Sequence, residues 1–266
     1  MAKGRKFSAA VRKAMNHPSP HPLGGSPLGS HTDEQSTAWA VREMFTAVAP
    51  RYDLLNHLLS LRRDVAWRKA AARALREALG QSGSLAVDVC CGTGDLALAL
   101  ARYSSGTVIA TDFCRPMLER ARHKARDESR PVLFVETDTL RLPFRDRSLD
   151  VVGVGFGFRN LANYANGLQE LHRVLRPWGI LAILEFSRVR WPVFGPLFRF
   201  YFQYFLPRLG SFISGVPGAY QYLQQSVVQF PDQESLAAAM REAGFVNVRY
   251  HNFTGGVAAL HLGYKA

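Results

Sequence analysis

The stretch Leu85–Leu98, which reads LAVDVCCGTGDLAL, constrains the fold of this chain more than any other feature. Its first residues are apolar and β-forming, which is typical of a short buried strand. Gly92 and Gly94 follow, and glycine permits backbone angles and close approaches that a Cβ would block. An apolar helix is predicted to begin directly after them. A strand that enters a helix through such a turn points several backbone N–H groups at one spot, which can hold a ligand.

Carboxylates around this turn distinguish between two classes of ligand. The spacing from Gly92 onward satisfies the dinucleotide fingerprint G-x-G-x-x-A, and Asp112 follows where a ribose-binding acid is expected. Asp95 argues against a dinucleotide, because a carboxylate at the helix start repels a pyrophosphate and competes for the same N–H groups. Asp88 and Asp95 together favour a cationic ligand without phosphate, such as S-adenosylmethionine. The alternative is an ordinary α/β turn that Asp95 caps.

Composition sets the broad class of the protein. The 266 residues are 47% hydrophobic, which suits one large α/β domain with an ample core. A formal net charge of +12 favours anionic partners such as a phospholipid surface, nucleic acid or acidic substrates. The 3 cysteines, with Cys90 and Cys91 adjacent, do not form a disulfide framework, so a cytoplasmic protein with reduced thiols is expected. No cysteine or histidine spacing indicates a metal site, and no secretory signal is visible.

Two segments precede the glycine turn. Residues 1–36 are basic and rich in Pro, Gly, Ser and His, and they are predicted to form a disordered tail, with weak contact to an anionic surface as the alternative. Residues 37–80 begin with apolar side chains at helical spacing and continue with dense aromatic and polar residues. This pattern predicts an N-terminal helical cap over the ligand site; a simply packed helix pair is the alternative.

Strands and helices alternate from residue 85 to the C-terminus, which predicts a doubly wound, mostly parallel sheet whose last strand is antiparallel. Ligands of such sheets bind beyond the carboxyl ends of the strands. Asp112, Asp138, Arg159 and Glu185 all lie at or just past predicted strand ends, so they are expected along one crevice.

Residues 191–228 form an insert whose first part is rich in aromatic residues and also contains arginine and proline. It is too broken and too charged to span a bilayer. This composition fits an interfacial helix or a lid over a hydrophobic substrate, and a helix packed in the core is the alternative.

The order of these parts resembles the class I, seven-stranded, S-adenosylmethionine-dependent methyltransferases. Several blocks are more specific and are similar to the ubiquinone/menaquinone biosynthesis C-methyltransferases: residues 49–56 (APRYDLLN), 59–68 (LSLRRDVAWR), 155–160 (GFGFRN), 184–187 (LEFS) and 255–265 (GGVAALHLGYK). The resemblance runs from about Thr37 to Lys265. Cys90-Cys91 and Arg62-Arg63 depart from the family's usual residues.

The resemblance implies which residues bind the cofactor. Gly92, Thr93 and Gly94 would approach its methionine moiety and ribose, while Asp88 and Asp95 would face its ammonium group.

Further along the ligand, the resemblance implies that Asp112 accepts hydrogen bonds from the ribose hydroxyls. Phe113 would stack near the adenine, with ordinary packing as the alternative. Asp138 and Thr139 would meet the adenine edge, with loop capping by Asp138 as the alternative. Gly155 is counted with the cofactor-binding residues, although it stands where a serine is common, so a side-chain hydrogen bond is absent there.

The reaction implied by the resemblance is methylation of a ring carbon of a prenylated quinol. Such a carbon is a poor nucleophile until the ring loses a phenolic proton, and an isolated phenol has a pKa near 10. Arg159 is the expected oxyanion stabiliser, with a strand-end salt bridge as the alternative. Asn160 is expected to fix the same oxygen or a water, and Tyr52 to close over the substrate and relay a proton, with plain packing as its alternative. His261 is expected to be structural.

The favoured substrate is demethylmenaquinol, converted to menaquinol in the last step of menaquinone biosynthesis, with a benzoquinol precursor of ubiquinone second. The expected partners are this prenylated quinol, transient contact with the anionic inner face of the cytoplasmic membrane, and a second copy in a homodimer. A methyltransferase for nucleic acid or for a small soluble phenol, and a non-enzymatic scaffold, are the rival functions. The family blocks speak against nucleic acid, and the intact glycine turn speaks against a scaffold.

Overall fold

A computed structural model describes residues 23–27, 34–189 and 219–266. Its helices are α1 Glu34–Val48, α2 Tyr52–Leu59, α3 Arg63–Ala74, α4 Arg76–Leu79, α5 Asp95–Ala101, α6 Arg115–Ala125, α7 Tyr164–Val174, α8 Ala219–Gln229 and α9 Gln233–Glu242. Its strands are β1 Leu85–Val89, β2 Thr107–Asp112, β3 Val132–Glu136, β4 Leu149–Gly155, β5 Leu175–Phe186, β6 Phe245–Phe253 and β7 Ala258–Lys265. Short 3₁₀ turns span Ala49–Arg51, Phe158–Asn160 and Thr254–Gly256.

The strands form one seven-stranded sheet in the order β3-β2-β1-β4-β5-β7-β6. Strands β1 to β5 pair in parallel, and β7 pairs antiparallel with both β5 and β6. This confirms the predicted doubly wound sheet with an antiparallel last strand. Strand order reverses between β1 and β4, which is where a crevice for a ligand opens in such sheets.

Apolar layers cover both faces of the sheet. On one face, α3 and α5 pack Trp67, Leu96 and Leu100 against it, and on the other α7 and α9 contribute Leu168 and Met240. Because both faces of the sheet are buried, the central strands are apolar almost throughout and do not alternate between apolar and polar residues. This packing holds the carboxyl ends of β1, β2 and β4 at one edge.

The predicted tail differs from the structure at its end. Helix α1 begins at Glu34, so the boundary after residue 36 falls inside a helix. Gly24 and Ser26 pack against the segment after β4: the N–H of Ser26 donates to the Leu161 carbonyl at 2.8 Å, and the N–H of Tyr164 donates to the Gly24 carbonyl at 3.2 Å. These backbone hydrogen bonds give residues 23–27 defined partners that composition did not reveal.

The predicted insert is only partly within the described residues. Its residues 191–218 lie outside them, and residues 219–228 belong to α8. Within the described part of the chain, no helix combines the length and apolar character needed to cross a bilayer. All 3 cysteines are free, as expected.

Candidate active site

A narrow crevice opens at the carboxyl ends of β1, β2 and β4, beneath α1 and α2. Its cavity volume is about 40 Å³, so its walls approach each other closely. The predicted site residues that line it are Tyr52, Gly92, Asp112, Phe113, Asp138, Thr139 and Asn160.

The glycine turn forms the floor of this crevice. Gly92 and Gly94 have φ values of +55° and +86°, which favour glycine. A Cβ on Gly94 would lie 3.0 Å from the Cβ of Ala121 on α6, so close packing of the turn also requires glycine there. The backbone N–H of Gly92 donates to Asp112 Oδ2 at 2.8 Å. This hydrogen bond connects the turn after β1 to the end of β2.

Asp112 is a buried carboxylate that backbone amides hold in place. Its Oδ1 accepts from the N–H of Cys114 at 2.8 Å, while Gly92 occupies Oδ2. Burial raises the pKa of Asp112 to about 6, against the opposing effect of these N–H donors. Each carboxylate oxygen has a second acceptor site, so Asp112 can still accept hydrogen bonds from ligand hydroxyls.

The far wall comes from the loop after β3. Asp138 Oδ1 accepts from the N–H of Leu140 at 2.9 Å, so the loop-capping alternative is present in the structure. Its other oxygen remains as an acceptor. The Thr139 hydroxyl lies 3.2 Å from Cys90 Sγ. Phe113 presents an apolar surface to the same crevice.

Asp88 does not line the crevice. Its side chain is fully buried in the middle of the sheet, and neither carboxylate oxygen has a side-chain hydrogen bond within the described structure. Burial raises the pKa of Asp88 well above its usual range. This burial disfavours the charged form of Asp88, and its assignment to the ligand's ammonium group stays a prediction.

Asp95 and Thr93 belong to a set of linked polar side chains that we call the cap network: Asp53, Asp64, Arg68, Thr93, Asp95 and Lys124. Lys124 Nζ lies 2.7 Å from Asp95 Oδ1, 2.8 Å from Asp53 Oδ2 and 3.0 Å from the Thr93 hydroxyl. The Thr93 hydroxyl donates to Asp53 Oδ1 at 2.5 Å. The carboxylate of Asp95 is thus paired with a cation, and its role at the ligand stays a prediction.

Arg68 extends the cap network on the other side of Asp95. Its Nη1 donates to Asp64 and lies 3.6 Å from Asp95 Oδ2. Sequence analysis did not assign a role to Lys124 or Asp53. Asp53 stands inside one of the family-like blocks, which is the one signal that could have drawn attention to it.

Arg159 is buried behind the crevice rather than on its surface. Its Nη1 donates to Glu185 Oε1 at 2.7 Å and to the Phe156 carbonyl. The guanidinium carbon lies 5.3 Å from the centre of the Phe186 ring, and Nε has no hydrogen-bond partner among the described residues. Burial disfavours the charge, but Glu185, Tyr52 and Tyr222 together more than offset this, so the pKa of Arg159 is raised. The salt-bridge alternative is therefore present.

Tyr52 and Asn160 both line the crevice. Tyr52 packs edge-on against Phe45 of α1, with ring centroids 5.9 Å apart. Burial raises the pKa of Tyr52, and the nearby charge of Arg159 opposes this increase. Asn160 Oδ1 accepts from the hydroxyl of Tyr222 on α8 at 2.8 Å. Tyr222 was missed by sequence analysis, since its number placed it in the insert.

Gly155 and His261 have packing roles. A Cβ on Gly155 would lie 3.1 Å from Leu96 Cδ2, so the residue faces the core side of the sheet and a serine there would be crowded. His261 is buried, and its Nε2 donates to the Gln233 carbonyl at 2.9 Å. Across the described ranges, no group of three His, Cys, Asp or Glu side chains could hold a metal ion.

With this geometry in place, the chain can be compared with known proteins. Residues 31–265 match the sequence profile of the ubiE/COQ5 methyltransferase family. The chain belongs to this family. It is therefore a methyltransferase. The matched region begins at residue 31, which lies within the segment 1–36 that was predicted to be a tail.

Individual members of the family are similar over nearly their whole length. A demethylmenaquinone methyltransferase of Thermus thermophilus is 49% identical over 221 residues, covering 83% of this chain and 99% of its own. The enzyme of the same name from Deinococcus radiodurans is 47% identical over 234 residues, which covers 88% of this chain and 95% of the Deinococcus chain. The one from Staphylococcus saprophyticus is 40% identical, covering 88% and 99%.

Solved structures share the fold of this family member at lower identity. A methyltransferase from Thermotoga maritima, described as S-adenosylmethionine-dependent and as a possible histamine N-methyltransferase, gives a TM-score of 0.60 at 19% identity. The match includes 100% of the Thermotoga chain and 85% of this chain. Phosphoethanolamine N-methyltransferase 2 of Haemonchus contortus, solved with S-adenosyl-L-methionine, gives a TM-score of 0.53 at 14% identity. The match covers 73% of this chain and 52% of the Haemonchus chain. These likenesses confirm the predicted class I methyltransferase fold.

Proposed function

We propose that this protein transfers a methyl group from S-adenosylmethionine to a ring carbon of demethylmenaquinol, which yields menaquinol. The relatives named demethylmenaquinone methyltransferase, at 40 to 49% identity, support this substrate. The observation that carries the proposal is the crevice at the strand ends, which is lined both by the buried Asp112 carboxylate and by Tyr52 and Asn160. Asp112 suits the methyl donor, and Tyr52 and Asn160 suit a phenolic ring.

The residues of the crevice fit S-adenosylmethionine. Asp112 would accept hydrogen bonds from its ribose hydroxyls, and Asp138 and Phe113 would meet its adenine. The backbone of the glycine turn would contact its methionine moiety. Asp95 is left out of this set because Lys124 and Arg68 already neutralise it. The donor supplies an electrophilic methyl group when bound.

The protein's own contribution is to hold the quinol and to favour its phenolate. In the proposed reaction, the quinol hydroxyl would give its proton to a water held by Tyr52 and Asn160. The electron-rich ring carbon would then form the new bond to the methyl group as the bond between that methyl and the sulfonium sulfur breaks, which leaves S-adenosylhomocysteine. Loss of the proton from that ring carbon restores the aromatic ring. Asn160 donates to the developing oxyanion, and buried Arg159 adds positive charge from behind, reduced by Glu185. Alignment of the reacting atoms contributes several kcal/mol more.

Product mass tests the proposed function directly. Purified protein is incubated with S-adenosylmethionine and, in separate reactions, with chemically reduced demethylmenaquinone, a benzoquinol precursor of ubiquinone, or a small soluble naphthol. We expect a singly methylated product from the demethylmenaquinol at the highest rate. Methylation of the benzoquinol alone would reassign the substrate. Methylation of the naphthol at an equal rate would show that the prenyl tail is not recognised.

We also propose that the protein works in the cytoplasm and contacts the anionic inner face of the membrane. Support comes from the net charge of +12 and from the water-insoluble tail of the proposed substrate. Co-sedimentation with anionic and zwitterionic vesicles tests this contact, with Arg199→Glu/Arg208→Glu as the charge-reversed variant. Failure of both proteins to bind anionic vesicles would contradict it. The homodimer and the absence of nucleic-acid binding stay predictions, which light scattering and a binding assay at moderate salt can check.

A further inference from the structure

A chain of three side chains reaches the crevice from behind. Tyr222 of α8 is only 2% exposed. Its hydroxyl donates to Asn160 Oδ1 at 2.8 Å and lies 3.0 Å from the hydroxyl oxygen of Ser26. Asn160 lines the crevice, whereas Tyr222 and Ser26 do not. Residues far apart in sequence thus converge on one amide group.

The direction of these hydrogen bonds follows from the number of protons available. A tyrosine hydroxyl has one hydrogen, and that hydrogen is used on Asn160 Oδ1. The Ser26 hydroxyl must therefore donate to the Tyr222 oxygen. Burial raises the pKa of Tyr222 to about 12, so the hydroxyl keeps its proton at neutral pH. Donation consequently runs from Ser26 to Tyr222 to Asn160.

The consequence concerns which end of the Asn160 amide faces the crevice. An amide has one acceptor end and one donor end, and Tyr222 occupies the acceptor end. The Nδ2 hydrogens are then the polar atoms that remain for a molecule in the crevice. Without Tyr222, the amide could turn over and present a carbonyl oxygen, which would repel an oxyanion.

We propose that Tyr222 is a positioning residue that holds Asn160 as a hydrogen-bond donor to the quinol oxygen, and that Ser26 orients Tyr222. This inference rests on the proposed function, since it requires the quinol oxygen to face Asn160. Ser26 is itself fixed by its backbone N–H, which donates to the carbonyl of Leu161, the residue next to Asn160. The segment that composition assigned to a disordered tail thereby supports the active site.

The test is Tyr222→Phe, which removes one oxygen and keeps the ring that fills the core. We expect kcat with demethylmenaquinol to fall about tenfold, the effect of about 1.4 kcal/mol in the transition state, with little change in the KM for S-adenosylmethionine. Ser26→Ala leaves Tyr222 in place and is expected to lower kcat by a smaller factor, about threefold. The matched control is Ser226→Ala, which removes another buried hydroxyl of α8; among the described residues, this hydroxyl donates to the Leu223 carbonyl. Its kcat should be that of the wild type.

A double variant separates positioning from a general structural effect. If Tyr222 acts through Asn160, then Tyr222→Phe in an Asn160→Ala background causes no further loss of kcat, because the effects of coupled residues are not additive. Independent, multiplying losses would overturn the inference, as would wild-type kcat in folded Tyr222→Phe. Melting temperatures of all variants verify folding. Absence of methylated quinol from the wild-type protein would instead overturn the proposed function, so the two failures are distinct.

Discussion

The crevice and the cap network lie next to each other and both contain carboxylates, but different groups hold these carboxylates in the two regions. In the crevice, backbone N–H groups of Gly92 and Cys114 hold Asp112. In the cap network, Lys124 bridges Asp53 and Asp95. Amides hold a carboxylate without neutralising its charge, so that charge can act on a ligand, whereas a lysine already neutralises the charge of the carboxylate that it pairs with.

The two regions also differ in what they connect. The crevice joins the ends of neighbouring strands, which the sheet holds rigidly in register. The cap network joins α2 and α3 to the glycine turn, α5 and α6, and its partly exposed members, Lys124 and Asp53, have side-chain exposures of 29% and 24%. Binding is therefore assigned to the crevice and retention of the cap to the network. Four predictions test this division.

The largest effect is expected where a buried ion pair supports the crevice. Arg159→Ala leaves Glu185, which is 1% exposed, without its cation, and breaking such a pair costs about 3–5 kcal/mol. We expect the free energy of unfolding in urea to fall by about this amount, turnover to fall strongly, and calorimetric affinity for S-adenosylmethionine to change little. The double variant Arg159→Met/Glu185→Leu should recover stability without turnover. Recovery of both would show that Arg159 only supports the fold.

An intermediate effect is expected at Asp112. Asp112→Asn removes a charged acceptor, and we expect the affinity for S-adenosylmethionine to fall about tenfold, as loss of a hydrogen bond to a charged group implies. The matched control is Asp95→Asn, which should change this affinity much less because Asp95 is already paired. A larger loss for Asp95→Asn than for Asp112→Asn would reverse the comparison.

The pH dependence of this affinity follows from the same carboxylate. The pKa of Asp112 is about 6, so the group is mostly protonated at pH 5 and mostly ionised at pH 7. Protonation removes acceptors that the ligand uses, so affinity should rise about tenfold between these two pH values if only the ionised form binds. Calorimetry across this range measures it, and the rise should be absent in Asp112→Asn.

The smallest effect is expected in the cap network. Lys124→Gln removes the cation shared by Asp53 and Asp95, and we expect the free energy of unfolding to fall by about 1 kcal/mol, with faster amide hydrogen exchange in α2. The control is Arg241→Gln, which breaks an exposed ion pair with Glu234 and should cost less than about 0.5 kcal/mol. Unchanged exchange in α2 would show that the network does not retain the cap.

Part of the site could be predicted because strand ends are recognisable in the chain. Asp112 and Asp138 follow apolar strands of a parallel sheet, and such positions share one edge. The surroundings of Asp88 and Asp95 could not be predicted in this way. Both stand at the correct sequence positions for a ligand contact, but burial and the approach of Lys124 depend on neighbours that are distant along the chain.

Local patterns alone were enough to predict the sheet, its antiparallel last strand and the glycine turn, because periodicity and turn residues act between near neighbours. The family followed from the resemblance of several sequence blocks. The three-dimensional packing decided which side chains reach the crevice, that Arg159 is paired with Glu185, and that Ser26 and Tyr222 stand behind Asn160. Burial and hydrogen-bond partners arise from contacts between residues far apart in sequence, and no local pattern contains them.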